Sequence, residues 1–462
     1  MQYSIVNYKD INTNLYRLDA EYHVGISKID MSRLIGYKLS DLCKKVVQGP
    51  NPKFIDEGIP SLNGKNVYFG TLDADVPNYI SKEEYKSFRP YHLNVNDILI
   101  TLKHASRVGR LWIFQEEKEC LFSRNLGLIR LDTNTHINVE TLLFYLWGRI
   151  PQTLLNLIAT GGTNGQITLS MAELREFPIP KLSDDLQILL KITFLSGDKL
   201  IGQSKKLYHQ AENLLLSELG LLDWRPEHCL SFVRNYFDTE QVGRFDAEYF
   251  QPKYDEIVKA VKDYKGRWET LGNLLNIKDK NFNPVDNKEY RYIELANIGG
   301  NGEVAGHTTA EGQELPTRAR RKVCANDVIV SSIEGSLSSI ALITRECDNA
   351  LCSTGFYVVN SDDINSETLL VLLKSQVGQL QLKKGCSGTI LTAINKDEFG
   401  RIVLPVVNKK IQSKIQQKIV ESFALRKQSK HLLECAKKSV EMAIEKDEKT
   451  ALQWLKKETK TN

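Results

Sequence analysis

The sequence predicts an α+β protein in which two mixed domains, related by a pseudo-twofold, are joined by two long antiparallel helices. Two observations carry this. One amphipathic stretch lies midway along the chain and another near its end, and motifs of the first half recur in order in the second.

The central stretch runs from Leu186 to Leu222. Leu186, Leu200, Leu207, Leu214 and Leu221 keep a seven-residue spacing, with Thr193 in the gap. Leu190 and Ala211 widen the stripe, while Lys205, Lys206, Glu212 and Glu218 lie off it. This is an apolar seam seeking another long helix. Gly197 and Gly202 weaken it, each by up to ~1 kcal/mol relative to Ala. The segment Gly220–Pro226 ends it, since proline cannot continue a helix. The expected partner carries Ile411, Ile415, Ile419 and Phe423, then Leu433, Ala436, Val440 and Ile444.

The repeat is an ordered series. Arg17-Leu-Asp19-Ala20-Glu21-Tyr22 returns as Arg244-Phe-Asp246-Ala247-Glu248-Tyr249, and Ile59–Gly64 lies opposite Ile293–Ile298. Asn96-Asp97-Ile98-Leu99 matches Asn326-Asp327-Val328-Ile329, a turn running into an apolar strand. Asn138 and Glu140 match Asn365 and Glu367 as helix-start signals. Glycine-rich turns follow at Gly161–Gln166 and Gly385–Thr389. Ile179-Pro180 or Leu404-Pro405 then precedes Gln187 or Gln412, which opens a long helix. Matching positions keep an offset of about 223–234 residues, which indicates duplication of a domain of ~180 residues plus a helix of ~35. At ~1.5 Å per residue the paired helices are ~50 Å long.

Composition is that of a globular chain, 42% hydrophobic and 26% charged over 462 residues, enough for two or three domains. Eight cysteines without a Cys-x-x-Cys pair point to reduced thiols. No apolar run nears the ~18 residues of a membrane span, and the N-terminus lacks signal-peptide regions. The expectation is a cytoplasmic protein with no membrane partner. A net charge of +4 permits nucleic acid as a partner.

Taken together, the Arg-x-Asp-Ala-Glu-Tyr pair, the Asn-Asp turn-strands, the glycine turns, the Pro-then-Gln helix starts and Leu219-Gly-Leu-Leu-Asp-Trp-Arg-Pro226 resemble the specificity subunit of type I restriction–modification enzymes. The resemblance spans nearly the whole chain. It departs at the family's proline-rich run, shortened here to Ile179-Pro180, and at Val406-Val407, which replaces the second proline. It implies target-recognition domains at residues 1–180 and 223–405, a spacer helix at 181–222, and a C-terminal helix and tail at 406–462. It also implies a non-catalytic subunit that reads a bipartite site in double-stranded DNA. Its partners are two methyltransferase subunits and restriction/translocase subunits. No cofactor is expected on this chain; S-adenosylmethionine, ATP and Mg²⁺ belong to those partners. Two alternatives stand beside this: a self-contained DNA-modifying enzyme, and a scaffold that binds only proteins.

Signatures of catalysis are missing. No Asn/Asp-Pro-Pro-Tyr/Phe loop exists for amino-methyl transfer. Gly58–Asn66 has five residues before Gly64-Lys65 and no Ser/Thr for Mg²⁺, so it reads as a turn rather than a phosphate loop. No His-Glu-x-x-His occurs.

Candidate DNA contacts cluster where loops are expected. Lys103, His104, Ser106, Arg107 and Arg110 follow a strand and offer four cationic groups within eight residues. They suit phosphates, or guanine O6 and N7; the alternative is a solvated loop. The aligned loop, Glu334–Ser339, has no cation, so the halves should read different bases. Arg124 stands between polar neighbours, whereas its counterpart segment Ser353–Gly355 is smaller. Arg318, Arg320, Arg321 and Lys322 form the densest basic run, suited to phosphate clamping or merely a solvated face. Asn63, Lys65, Asn66 and Asn297 are turn residues able to meet base edges or to serve their own backbone. Lys383 and Lys384 flank the second glycine turn. The doubled Arg-x-Asp-Ala-Glu-Tyr reads as an Arg–carboxylate lock. With the two domains held ~35–50 Å apart by the helices, the site should be two short, different halves around a fixed gap of ~5–8 base pairs.

Overall fold

The computed structural model describes residues 20–72, 78–105, 107–161, 165–388 and 392–460. Contacts divide the chain into two units, Met1–Leu200 with Lys427–Asn462, and Ile201–Arg426. Each unit therefore contains one mixed domain and a share of both long helices. The first half runs through β1 (Cys43–Gln48), β2 (Ile59–Leu62), β3 (Asn78–Ile80), β4 (Asp97–Thr101), β5 (Lys103–His104), β6 (Leu111–Phe114), β7 (Leu121–Phe122) and β8 (Leu126–Leu131). Helices α1 (Val139–Trp147) and α2 (Arg149–Ile158), strands β9 (Thr160–Gly161) and β10 (Ile167–Thr168), and the long α3 (Asp184–Glu218) follow. The second half has α4 (Pro252–Lys262), β11 (Asn276–Ile277), β12 (Glu289–Ile293), β13 (Thr308–Glu311), β14 (Ala319–Lys322), β15 (Val328–Ser331), β16 (Ile340–Leu342), β17 (Leu351–Ser353) and β18 (Phe356–Asn360). It closes with α5 (Ser366–Lys374), α6 (Gln376–Gly385), β19 (Cys386–Ser387), β20 (Ala393–Ile394), the long α7 (Lys409–Glu445) and α8 (Glu448–Lys460).

The two domains share one strand plan. A four-stranded antiparallel sheet, β1-β8-β4-β6, has its counterpart in β11-β18-β15-β16. A second sheet places β2 between antiparallel β3 and parallel β7, and likewise β12 between β13 and β17. The second unit adds β14 beyond β17. The aligned stretch of the first unit is the 3₁₀ turn Arg89–Tyr91.

Both Asn-Asp turns perform the same task. Asn96 and Asn326 sit at φ 73° and 72°, a left-handed conformation that asparagine tolerates better than most residues. Each following aspartate is buried and accepts a backbone N–H of its own turn, from Asn94 at 2.7 Å or Cys324 at 2.8 Å. A cation on or beside the adjacent strand neutralises it. Arg130 Nε and Nη2 each approach Asp97 to 2.7 Å, and Lys278 Nζ reaches both oxygens of Asp327 at 2.8 Å.

The glutamine opening each long helix is buried and joins it to its domain. Gln187 Oε1 accepts Asn138 N at 2.9 Å, and its Nε2 donates to the carbonyls of His136 and Leu182. Gln412 repeats this with Asn365 N at 2.9 Å and the carbonyls of Asp363 and Val407. Asn138 and Asn365 in turn cap α1 and α5, accepting from Thr141 N and Thr368 N. Their amides also donate to the Gln187 and Gln412 carbonyls.

Within each unit the long helices run antiparallel. In the first, Ser183 N donates to Glu448 and Ser429 Oγ to Gly197 O at 2.7 Å. In the second, Ser204 and Ser422 meet Oγ to Oγ at 2.9 Å, and Lys418 donates to Gln210. The seam differs from the leucine stripe read in the sequence. Leu190, Gly197, Ser204 and Ala211 are buried, whereas Leu200, Leu207 and Leu214 are only half-buried. Small residues let the backbones approach, so Gly197 is a packing requirement there and not just a weak point. A Cβ on it would stand 3.2 Å from Leu433. Gly202 has nothing within 4 Å of its would-be Cβ. Helix α3 stops at Gly220, whose φ of +69° admits the bonds Gly220 N to Ser217 O and Leu221 N to Leu216 O, well before Pro226.

The second Arg-x-Asp-Ala-Glu-Tyr copy forms a lock: Arg244 Nε and Nη2 hold Asp246 at 2.8 and 3.0 Å while Nη1 donates to Cys386 O. Arg244 holds the Asp246 carboxyl below its usual range. Arg17 and Asp19 lie outside the described residues. None of the eight cysteines is in a disulfide. Among the described residues no helix is long and apolar enough to cross a membrane.

Urea unfolding should separate the roles assigned to these residues. Gln412→Ala takes the partner from Asn365 N and Val407 O, while Asp363 O keeps Lys409 Nζ, and should cost about 2 kcal/mol. Gly197→Val should cost ~1–3 kcal/mol by overpacking. Gly202→Ala, in open space on the same helix, should instead stabilise by up to ~1 kcal/mol.

Candidate nucleic-acid interface

Four segments converge in the first unit. Ser123 N donates to Leu62 O, Leu102 N to Asn125 O, and Leu169 N to Leu102 O. The turn at Asn63–Asn66, the described residues of Lys103–Arg110, the Arg124 corner and the segment after β10 are thereby gathered; residues 162–164 of the glycine turn lie outside the described residues. Strand β5, carrying Lys103 and His104, pairs directly with β10 beside that turn. Ser106 lies outside the described residues.

The gathered groups divide by what already holds them. Asn63 Oδ1 accepts Lys65 N at 3.0 Å and Asn66 Oδ1 accepts Asn63 N at 2.9 Å, so both amides shape their own turn. Asn66 is 1% exposed. Arg110 braces that turn through Nη2 to Gly64 O at 2.8 Å and lies 5.4 Å from the Tyr68 ring centroid. Arg107 donates to Gln152 Oε1 at 3.2 Å over the Phe69 ring, although its side chain remains exposed. The surroundings of His104 disfavour its charged form. Burial lowers its pKa and the Arg110 guanidinium lowers it further, and its Nδ1 accepts Arg107 N. Lys65 and Arg124 are exposed on adjoining loops.

The second unit gathers the aligned segments with other side chains. Ser332 N donates to Gly355 O, Glu334 N to Thr392 O, and Ile394 N to Ser332 O. Ser331 and Ser336 pair Oγ to Oγ at 2.9 Å, and Ser353 Oγ accepts Gly355 N. Arg318 joins this corner because its carbonyl accepts Thr354 N. The basic run continues along β14, an edge strand with a bulge between Ala319 and Arg321. Arg318 and Lys322 are exposed. Arg320 donates to Thr317 O and to Asn283, and Arg321 keeps a buried Nη1 without a hydrogen-bond partner among the described residues. Asn297 Oδ1 accepts Glu294 N within its own turn.

Lys383 and Lys384 are placed elsewhere. Lys384 Nζ is 3.0 Å from Asp255 of α4, and Lys383 Nζ is 3.6 Å from Glu248. Their charge is paired at the surface with carboxylates near the Arg244–Asp246 lock.

Sequence reasoning missed Tyr68, Phe69, Gln152 and Asn283, which set the conformations of Arg110, Arg107 and Arg320. Each lies some 37–45 residues from its partner, a distance that only tertiary structure closes. The one local signal was the aromatic pair Tyr68-Phe69 directly after the turn.

No protein-family model and no curated protein matches the chain. Among solved structures it is similar to the S subunit of a type I restriction–modification system from M. genitalium, at 14% identity and a TM-score of 0.35, over 91% of this chain and 95% of that one. It is similar to a chain from a study of complex assembly and conformational transition of the type I R-M system, at 12% identity and a TM-score of 0.27, over 89% and 97%. The HsdS subunit from Thermoanaerobacter tengcongensis is similar at 12% identity and a TM-score of 0.26, over 89% and 96%.

The His104 imidazole should titrate below its usual 6.5 when followed by NMR. Arg110→Met should raise that midpoint only partway, because burial is the larger cause and the methionine preserves it.

Proposed function

We propose that this chain is the DNA-reading specificity subunit of a type I restriction–modification complex. One observation carries the reading: a single strand plan and a single glutamine lock occur twice, while the loops at aligned positions differ in charge and size. A duplicated scaffold with divergent loops suits recognition of two unlike half-sites. Methyl transfer belongs to partner subunits in this reading. Ile188, Ile192 and Leu195 form an exposed apolar stripe on α3, 57%, 55% and 48% exposed, on which a methyltransferase subunit would dock.

The residues take separate parts. In the first half-site reader, exposed Lys65, Arg107 and Arg124 approach DNA, an arginine being able to bridge guanine O6 and N7. Asn63, Asn66, Arg110 and His104 hold those loops in shape. In the second, Arg318 and Lys322 neutralise phosphate, Arg320 and Arg321 set the edge strand, and Asn297 with the serine-rich corner shapes the smaller reading loop.

Two experiments test this. Methylome sequencing of cells carrying the chain and its methyltransferase should show two short, different half-sites around a fixed unread gap. One continuous motif, or identical halves, would count against it. In binding titrations, Arg318→Ala with Lys322→Ala should weaken all sequences alike and lower the salt slope by about one unit for each phosphate no longer neutralised. Lys383→Ala with Lys384→Ala should leave that slope unchanged.

A further inference from the structure

Near the end of the chain three metal-ligating side chains meet. His431 and Cys435 stand four residues apart on α7 and so share one face of the helix. Helix α8 brings Glu458 to the same place, and one donor atom from each residue lies within 4.8 Å of the others. His431 Nε2 is 3.6 Å from Cys435 Sγ. Tetrahedral zinc with nitrogen at ~2.05 Å and sulfur at ~2.3 Å separates two such ligand atoms by ~3.6 Å. The pair thus has the spacing of one edge of a coordination tetrahedron.

We propose that His431, Cys435 and Glu458 bind a transition cation, zinc foremost, which clips α8 onto α7. The donor set selects the ion: one imidazole, one thiolate and one carboxylate suit Zn²⁺ or Co²⁺, not the all-oxygen preference of Ca²⁺ or Mg²⁺. Burial fits three protein ligands and one water. Cys435 is 5% exposed and fixed in the core, Glu458 is half-buried, and His431 faces solvent, giving the ion an approach and an open fourth position. Nearby lysines are engaged elsewhere, Lys438 over the Trp454 ring and Lys437 on Glu434. On binding, the zinc–sulfur bond forms as the S–H bond breaks, and the proton leaves to bulk water with the displaced aquo ligands. The clip has mechanical value here. Of its own residues α8 fully buries only Ala451 and Leu455, a thin attachment for thirteen residues.

The test is a cobalt titration of the full-length chain after chelator treatment. One equivalent should give tetrahedral visible bands with a thiolate-to-cobalt charge-transfer band, and zinc should displace it. Cys435→Ser should abolish the charge-transfer band and weaken binding more than ~100-fold, beyond the loss typical of changes outside the ligand set. His431→Ala, at an exposed position that the core does not need, should weaken it as well. Cys43→Ser, on β1, should retain the full signal. Wild-type protein without saturable one-to-one binding would overturn the proposal. So would a charge-transfer band that survives Cys435→Ser, or wild-type affinity in His431→Ala.

Discussion

Each unit depends on the carboxamide of one buried glutamine. At Gln187 and again at Gln412 the side-chain oxygen takes the N–H of a capping asparagine while the nitrogen serves two carbonyls. Only a primary amide offers an acceptor and two donors in one plane. A glutamate at the same place could not donate to the carbonyls and would bury a charge. Because the asparagine also caps a short helix of the domain, the start of the long helix and the start of that short helix become one hydrogen-bonded object. The direction in which each long helix leaves its domain follows from it.

Close helix packing is the second constraint. Gly197 with Ser429 in one unit, and Ser204 with Ser422 in the other, replace large apolar side chains by small ones that hydrogen-bond across the seam. Arg426 adds an ion pair to Glu303, both side chains 17% exposed, tying helix to domain in the second unit. These contacts require a particular register, because a slip by one residue would put a larger side chain against the partner backbone. Nonspecific greasy packing would not fix register in this way.

On this shared frame the loops diverge through charge and the partners available to it. Arg110 and Arg107 lie over Tyr68 and Phe69 and are braced by neighbours, so their loop is shaped before it meets any ligand. The aligned loop of the second unit is held by serine–serine and backbone bonds, and its cations stand on the edge strand β14. The aligned stretch of the first unit is a 3₁₀ turn, Arg89–Tyr91, and not a strand.

By itself the sequence determined the α+β class, the duplication, the two long helices and the turn-to-strand and cap positions. All of these rest on local periodicity, turn chemistry and order along the chain. Asn96, Asn326, Asn138, Asn365 and Gly220 do in the structure what their residue types favour locally. Tertiary structure alone decided which helix face is buried, because the seam centres on Gly197 and Ser204, which a hydrophobic pattern passes over. It also decided which candidate cations are presented. Lys383 and Lys384 meet Glu248 and Asp255 more than a hundred residues away, and burial with the Arg110 guanidinium lowers the His104 pKa. A charge in sequence is a formal count; its exposure and pairing are set by groups brought near only when the chain folds.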